Sequence, residues 1–286
     1  MSTLALKSRE QTGALQVQRL NPVIGAEVSG VDLSQPLPGP RRDELRALLL
    51  EHKVLFFRDQ ILTREQHLAF AAQFGELYAH PTGGLTEHRI IQPISAESFK
   101  RYQEKKLYRE NHWHTDTSWR LNPSLGAVLR AVDIPEVGGD TIWANGGAIY
   151  RGLPEDLKAR IDDLYVIHDY QDALRDAGEV YPLVAHPVVR THPETGEDIL
   201  WVNFGLKPRI VDLDRAESDA LIARLYDEVK EPEHQVRFRW RPNSVAFWDN
   251  RAAVHYAVRD YGDYPRVMER VLIAGDDIPH RVRQDA

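Results

Sequence analysis

A histidine and an aspartate two residues apart, together with one remote histidine, form the most informative pattern in this chain. They are His114 and Asp116, in the run Trp113-His114-Thr115-Asp116, and the distant His255. On a strand, residues i and i+2 point to the same side, so His114 and Asp116 could bind one ion together. Imidazole and carboxylate ligands suit iron(II), manganese or zinc. Two histidines with one carboxylate are the set that leaves iron(II) open to substrate and oxygen.

The sequence context strengthens this pattern, which alone would be weak because the chain has 12 histidines and many accidental pairs. Asp249 and Asn250 precede His255 and carry polar groups that could orient it. Two other histidines have simpler interpretations. His192 lies in a Thr-His-Pro-Glu-Thr-Gly run and is interpreted as a turn or surface residue, and His168 as a core histidine.

The composition limits the class of protein. The 286 residues are 42% hydrophobic and 28% charged, as in an ordinary soluble globular protein. The formal net charge of −7 and the lack of a long basic run argue against nucleic acid as a partner. The absence of cysteine excludes disulfides, thiolate metal ligands and a cysteine nucleophile. No apolar run has the length of a signal-peptide core or a membrane span, so we expect a cytoplasmic protein with no membrane partner.

Many short strands punctuated by turns favour a barrel or sandwich. Strands are predicted at 15–20, 25–33, 53–58, 125–132, 141–144, 165–170, 184–190, 199–202, 235–240, 244–248 and 267–274, and helices at 41–53, 64–74, 146–163 and 215–229. Thr63 is the predicted N-cap of the second helix, with Gln66 at the capping-box position. We expect a flexible N-terminus at 1–14, a single domain at 15–286, and a lid within the weakly periodic segment 80–112.

Several motifs in addition to the metal pattern resemble the taurine dioxygenase family of iron(II)- and 2-oxoglutarate-dependent oxygenases. They lie at residues 24–33, 57–60, 73–77, 113–116, 138–143, 186–193, 248–255 and 266–270. The resemblance implies a mostly β chain with added helices (α+β), built on a double-stranded β-helix, or jelly roll. It implies a dioxygenase that uses Fe(2+), 2-oxoglutarate and O2 to hydroxylate a C–H bond, with succinate and CO2 as co-products. A homodimer or homotetramer is the assembly that the family suggests.

The resemblance also implies roles for particular residues. His114, Asp116 and His255 would be the iron ligands and catalytic centre, and Thr141 and Arg266 would bind the distal carboxylate of 2-oxoglutarate. A guanidinium fork suits a carboxylate, and a threonine hydroxyl can donate one more hydrogen bond. Because Asp116 supplies the carboxylate ligand that related halogenases lack, we expect hydroxylation rather than halogenation.

Two residues are implied at the anionic end of the prime substrate. Arg270 matches the family position that reaches toward this anion, and His80 matches a histidine that contacts the sulfonate of taurine. Arg270 follows Arg266 by four residues, so on a strand both side chains would share a face. One arginine would then serve the co-substrate and the other the substrate.

Four positions depart from the taurine pattern. Gly83 stands where the taurine enzymes have a tyrosine, Glu110 replaces an asparagine, Thr117 replaces a valine, and Leu206 lies near the position of an aromatic residue. Glu110 could repel a sulfonate, attract an amine or lie in solvent. We therefore expect a different or larger substrate that still carries an acidic group: a sulfonate, an alkyl sulfate, an aryloxyalkanoate, or an amino or carboxylic acid. Cleavage of a C–heteroatom bond would follow if the hydroxylated carbon carries the heteroatom.

Two other classes of protein compete with this interpretation. The same triad could hold zinc in a non-oxidative hydrolase or a structural site. Thr141 and Arg266 argue against zinc, because hydrolysis needs no grip on 2-oxoglutarate. A non-catalytic binding protein on the same fold is the other alternative, and the presence of all three metal ligands argues against it.

Overall fold

Sixteen strands and six helices make up the described part of this computed structural model, residues 13–81, 90–95 and 111–283. The strands are β1 (Gln16–Arg19), β2 (Ala26–Ser29), β3 (Val54–Phe57), β4 (Leu77–Tyr78), β5 (Gln92–Ser95), β6 (Gly126–Asp133), β7 (Thr141–Asn145), β8 (Tyr165–Ile167), β9 (Ala185–Pro187), β10 (Val189–Thr191), β11 (Asp198–Leu200), β12 (Arg209–Ile210), β13 (Gln235–Phe238), β14 (Val245–Asp249), β15 (Ala253–Ala257) and β16 (Val267–Ile273). The helices are α1 (Gly39–His52), α2 (Arg64–Ala71), α3 (Gly146–Gly152), α4 (Glu155–Ile161), α5 (Gln171–Asp176) and α6 (Arg215–Val229), with a 3₁₀ turn at Pro232–His234.

Two sheets position the candidate site. The larger has the strand order β1-β2-β3-β14-β6-β16-β4, with β5 also paired to β16, and the smaller has the order β13-β7-β15. Side chains from both sheets form one buried cluster, in which Phe56 of β3 stacks on Phe238 of β13 with ring centroids 4.0 Å apart. Trp143 of β7 meets the edge of Phe56 at 5.3 Å. The two sheets thus enclose the core of a jelly roll, as the sequence predicted.

The other face of the larger sheet is covered by α1 and α2. In strand β3 the sequence Val-Leu-Phe-Phe is buried at every position, so this strand can be covered on both faces of the sheet. Alternate side chains point to opposite faces. Leu55 and Phe57 therefore pack with Leu49 of α1 and Phe70 of α2, whereas Val54 and Phe56 enter the core between the sheets. A continuous apolar run is what a strand buried on both faces requires.

The predicted capping box and one predicted helix are present in the structure. The Thr63 side chain accepts a hydrogen bond from the Gln66 backbone N–H at 3.2 Å, and the Gln66 side chain accepts one from the Thr63 N–H at 2.8 Å. This reciprocal pair is the predicted capping box. Helix α6 occupies the predicted range 215–229. No helix in the described ranges is long and apolar enough to cross a membrane.

Other predicted elements are wrong in detail. The helix predicted at 146–163 is two helices, because Pro154 interrupts the backbone pattern after α3. The strand predicted at 184–190 is two short strands, β9 and β10, and β15, which carries His255, was not predicted as a strand. Segment 80–112 was predicted to be irregular, but its described part contains β5. The rest of the predicted lid, 82–89 and 96–110, and residues 1–12 of the predicted flexible N-terminus lie outside the described residues.

Candidate active site

A backbone bridge brings the two candidate histidine ligands together. The His114 N–H donates to the His255 carbonyl at 3.0 Å, and the His255 N–H donates to the His114 carbonyl at 2.7 Å. Strand β15 holds His255 by pairing with β7, where Trp143 is its direct partner. The two imidazole rings lie with centroids 4.0 Å apart. This backbone pairing holds the two histidine side chains next to each other, although the residues are far apart in sequence.

Asp116 joins the histidines from a turn and not from a strand. His114 makes an isolated bridge, after which the chain turns, with Thr117 at a positive φ of 53°. The expectation that a strand places His114 and Asp116 on one side is therefore wrong. One ligand atom from each of His114, Asp116 and His255 nevertheless lies within 4.8 Å of the others. The structure thus brings the predicted triad together by a bridge and a turn.

Two buried asparagines hold this turn. Asn250, between β14 and β15, accepts from the Asp116 N–H at 2.8 Å and donates to the Asp116 carbonyl at 2.7 Å. Asn203 donates to the Thr115 carbonyl at 2.7 Å. Asn250 was expected to orient His255, but its side chain instead fixes Asp116. Asn203 was missed, and no spacing or motif in the sequence distinguishes it.

The electrostatics of the triad favour a bound cation. Burial lowers the pKa of His114 to about 3 and lowers the pKa of His255 well below its ordinary value, so both rings are neutral near pH 7. The His114 Nδ1–H donates to the His112 carbonyl at 2.7 Å, which leaves Nε2 as the metal-binding atom. Burial raises the pKa of Asp116, and Arg270 opposes that rise.

The donor set fits the metal that the pattern predicts. The Oδ2 atom of Asp116 is buried and has no hydrogen-bond partner among the described residues. An unsatisfied carboxylate oxygen beside two neutral imidazoles is costly unless a cation completes it. His114, Asp116 and His255 would hold iron(II), and two nitrogens with one carboxylate leave further coordination positions open.

A cavity on one side of the triad contains the predicted co-substrate residues. Thr141 and Arg266 line it together with the two histidine ligands. Leu129 and Met268 give it apolar walls. A short dicarboxylate has apolar methylenes between polar ends, which suits such a cavity. The structure therefore brings Thr141 and Arg266 to the same space as the triad.

Neighbouring groups orient both co-substrate residues. The Trp240 Nε1–H donates to Thr141 Oγ1 at 3.0 Å, so the Thr141 hydroxyl hydrogen remains available to a carboxylate. The Arg266 Nε–H donates to the Gly139 carbonyl at 3.0 Å, which fixes the guanidinium at the wall of the cavity. Gly139 has a φ of +71°, and a Cβ there would lie 3.1 Å from Arg266 Cδ. A glycine is thus required beside Arg266. No role was predicted for Trp240.

A second cavity adjoins Asp116. It is lined by His80, Gln92, Thr115, Asp116, Thr117, Trp119, Tyr170, Asn203, Leu206 and Arg270. Arg270 also lines the co-substrate cavity, so it borders both cavities. Arg266 and Arg270 line the co-substrate cavity together, but Arg266 precedes β16 and a bulge lies at Val267/Met268. The strand alternation on which their predicted common face rested therefore does not relate them.

The structure places the predicted substrate residues as follows. Arg270 Nη1–H donates to Asp116 Oδ1 at 2.5 Å. Burial, and then the charge of Arg270, lower the pKa of His80 to about 3, so His80 is a neutral donor or acceptor. The Thr117 hydroxyl faces Ser124, with 2.7 Å between the two oxygens. Glu110, like Gly83, lies outside the described residues.

His192 and His168, the two histidines given simpler interpretations from the sequence, have structural partners. His192 is buried and not at the surface: its Nδ1 accepts from the turn N–H groups of Glu194 and Thr195, and its Nε2–H donates to Asp249 at 3.0 Å. The surface interpretation of His192 is therefore wrong, whereas the turn interpretation agrees with the structure. His168 is the expected core histidine, and its Nε2 accepts from the Asn203 N–H at 3.0 Å.

Comparison with known proteins agrees with this geometry. The family model described as "Taurine catabolism dioxygenase TauD, TfdA family" matches residues 16–272. The chain belongs to this family. An alpha-ketoglutarate-dependent sulfate ester dioxygenase from Pseudomonas putida is 37% identical, covering 96% of this chain and 95% of the relative. An alkylsulfatase from Acinetobacter baylyi is also 37% identical, covering 93% of this chain and 86% of the relative. A taurine dioxygenase structure from Burkholderia xenovorans is 41% identical, with a TM-score of 0.79 and coverage of 93% of each chain.

These similarities decide between the classes that the sequence left open. The chain is an iron(II)- and 2-oxoglutarate-dependent dioxygenase that hydroxylates a C–H bond of a small organic substrate. The predicted jelly roll and the predicted use of Fe(2+), 2-oxoglutarate and O2 are confirmed. The zinc hydrolase and the non-catalytic binding protein have no support from these relatives.

Proposed function

We propose that the chain is a sulfate ester dioxygenase, which oxidises the carbon that carries the ester oxygen of an alkyl sulfate. The observation that carries the proposal is the lining of the cavity beside Asp116, where anion-binding donors lie next to an aromatic and aliphatic wall. Such a lining matches a small anion with an apolar tail. The 37% identity to a sulfate ester dioxygenase and to an alkylsulfatase supports the same class.

The polar end of the cavity suits a sulfate group. Arg270 is a buried cation at 7% exposure, and His80 lines the same space as a neutral ring. Because Arg270 contacts the ligand residue Asp116, an anion bound by Arg270 would lie beside the metal ligands. The carbon attached to that anion is then the carbon closest to the oxidising centre.

The apolar end suits an alkyl chain better than the ammonium group of taurine. Trp119 and Tyr170 stack with ring centroids 5.4 Å apart, and Leu206 packs in the same buried cluster. Within the described lining, the only carboxylate is that of Asp116, a metal ligand. An ammonium group would find no other anionic partner there. Each methylene of an alkyl chain buried against this wall contributes about 0.8 kcal/mol to the free energy of binding.

The reaction follows from the positions of these residues. Iron(II), with 2-oxoglutarate and O2, supplies the oxidising chemistry that replaces a C–H hydrogen with hydroxyl. Arg266 and Thr141 bind the far carboxylate of 2-oxoglutarate, while Arg270 orients the sulfate and the Trp119 ring excludes water. The hydroxylated carbon still bears the ester oxygen, so its C–O bond breaks as the hydroxyl becomes a carbonyl. In total, R–CH2–OSO3⁻, 2-oxoglutarate and O2 give R–CHO, HSO4⁻, succinate and CO2.

A substrate panel tests this proposal. Hexyl sulfate, hexanesulfonate, hexanoate, phenoxyacetate and taurine are each supplied with iron(II), 2-oxoglutarate and oxygen, and succinate, sulfate and aldehyde are measured. We expect equal amounts of the three products from hexyl sulfate, and kcat/KM that rises about fourfold per added methylene in short alkyl sulfates. A higher kcat/KM for taurine, or phenol release from phenoxyacetate faster than sulfate release, would overturn the proposal.

A further inference from the structure

We infer that Gln92 binds the substrate anion directly and selects a tetrahedral anion over a planar carboxylate. The inference rests on the proposed sulfate ester activity and adds a specificity-determining residue to it. Gln92 belongs to β5, in a segment where the sequence predicted no regular structure. Its role depends on Arg270, the residue that the fold places opposite it.

The strand register places Gln92 beside Arg270. Strand β5 pairs antiparallel with β16, and Gln92 is the direct partner of Arg270 in that pairing. Side chains of directly opposed residues project from the same face of a sheet. Both line the cavity beside Asp116, and their exposures are only 8% and 7%. A buried amide therefore lies next to a buried cation at the polar end of the substrate cavity.

The hydrogen bond between them fixes the orientation of the amide. The Arg270 Nη2–H donates to Gln92 Oε1 at 2.5 Å. A guanidinium has donors only, so the amide oxygen must face it and the Nε2 group must point elsewhere. The group that Gln92 can offer an anion is therefore the Nε2 donor.

Arg270 is held from two sides by this arrangement. Its Nη1 donates to Asp116 and its Nη2 to Gln92, both at 2.5 Å. A fork that is already oriented loses less freedom when an anion binds.

The shape of the anion decides what Gln92 adds. A guanidinium fork matches the two coplanar oxygens of a carboxylate without further help. A sulfate ester or a sulfonate has three terminal oxygens that cannot all lie in the plane of the fork. The Nε2 donor of Gln92 reaches such an anion from the neighbouring strand, and it supplies a partner for the third oxygen. Gln92 thus favours tetrahedral anions over carboxylates of the same chain length.

The test replaces Gln92 with leucine, which keeps the approximate size and removes the amide. Dissociation constants for hexyl sulfate and hexanoate are measured by calorimetry on the anaerobic enzyme loaded with iron(II) and 2-oxoglutarate, and KM and kcat are measured separately. We expect hexyl sulfate to bind roughly 10- to 100-fold more weakly, the range for one hydrogen bond to a charged group. We expect hexanoate binding to weaken by a smaller factor, because both anions lose the contact that orients Arg270 but only the sulfate loses the Nε2 donor. We expect the visible band of the iron–2-oxoglutarate chelate to stay unchanged.

The control is Gln18→Leu, the same substitution on the exposed strand β1. Equal weakening of both ligands by Gln92→Leu, or loss of the chelate band, would assign Gln92 to support of Arg270 and Asp116 and overturn the inference. Unchanged hexyl sulfate binding would also overturn it. If the leucine variant does not fold, Gln92→Glu serves instead, because it keeps the Arg270 contact but presents an oxygen to the anion. Weaker hexyl sulfate binding is again expected.

The outcomes for the two proposals differ. If the unaltered enzyme releases no sulfate, the sulfate ester activity fails. The calorimetric preference for hexyl sulfate over hexanoate, and its loss in the Gln92 variants, still decides the role of Gln92.

Discussion

Replacing Asn250 with alanine is expected to weaken iron(II) binding by about 10- to 100-fold, the range for partners that orient metal ligands. The Asn250 side chain satisfies both the N–H and the carbonyl of Asp116. Leaving each buried group without a partner costs about 1–3 kcal/mol, or about 2–6 kcal/mol for the two. A 10- to 100-fold weaker affinity for iron(II) accounts for about 1.4–2.7 kcal/mol of this cost. The remainder should appear as a lower free energy of unfolding of the metal-free protein.

The assay is an anaerobic titration with iron(II) at saturating 2-oxoglutarate, followed by the visible band of the chelate, together with urea unfolding of the metal-free protein. Asn145→Ala is the matched control. Asn145 is equally buried and caps α3 by accepting from the Gly147 and Ala148 N–H groups. It should lower stability without changing iron affinity. Equal iron affinity in Asn250→Ala and the unaltered protein would refute the assignment of Asn250 to the Asp116 turn.

Two further predictions concern the co-substrate grip and the buried histidines. In Trp240→Phe, Thr141 loses the donor that orients its hydroxyl, so KM for 2-oxoglutarate should rise about 3- to 10-fold, with kcat at saturation nearly unchanged. Succinate formation measures both constants, and an unchanged KM would contradict the role. Burial lowers the folded-state pKa of His67 from 6.5 to about 4, so only the unfolded chain takes up a proton just below pH 6.5. Stability should therefore be lost as the pH falls from about 6.5 to about 4, by about 1.4 kcal/mol per pH unit for this residue. His67→Leu should remove that contribution in urea unfolding at about pH 7.5 and about pH 5, and parallel pH dependences of the two proteins would count against it.

Features encoded by neighbouring residues could be predicted from the sequence. The Thr63 and Gln66 capping box and the helix at 215–229 depend on contacts within a few residues, and both are present. The helix predicted at 146–163 failed although its side chains have helical spacing. Pro154 restricts the backbone before it, so the segment forms two helices.

Features that depend on contacts distant in sequence could not be predicted. Residue types identified His114, Asp116 and His255 as one group, but the backbone bridge joins two histidines that are about half the chain's length apart in sequence. The pairing of Gln92 with Arg270 likewise depends on the register of β5 against β16. Asparagine and glutamine side chains serve many roles in proteins, so their types alone did not indicate a function for Asn203 or Gln92.

The most direct test of the central claim is the anaerobic absorption spectrum of the protein with iron(II) and 2-oxoglutarate. The chelate forms only if His114, Asp116 and His255 hold the metal while Arg266 and Thr141 hold the far end of the co-substrate. We predict the weak visible charge-transfer band of a 2-oxoglutarate chelate in the unaltered protein, and its loss in His255→Ala. Absence of the band in a folded protein that retains zinc tightly would contradict the account.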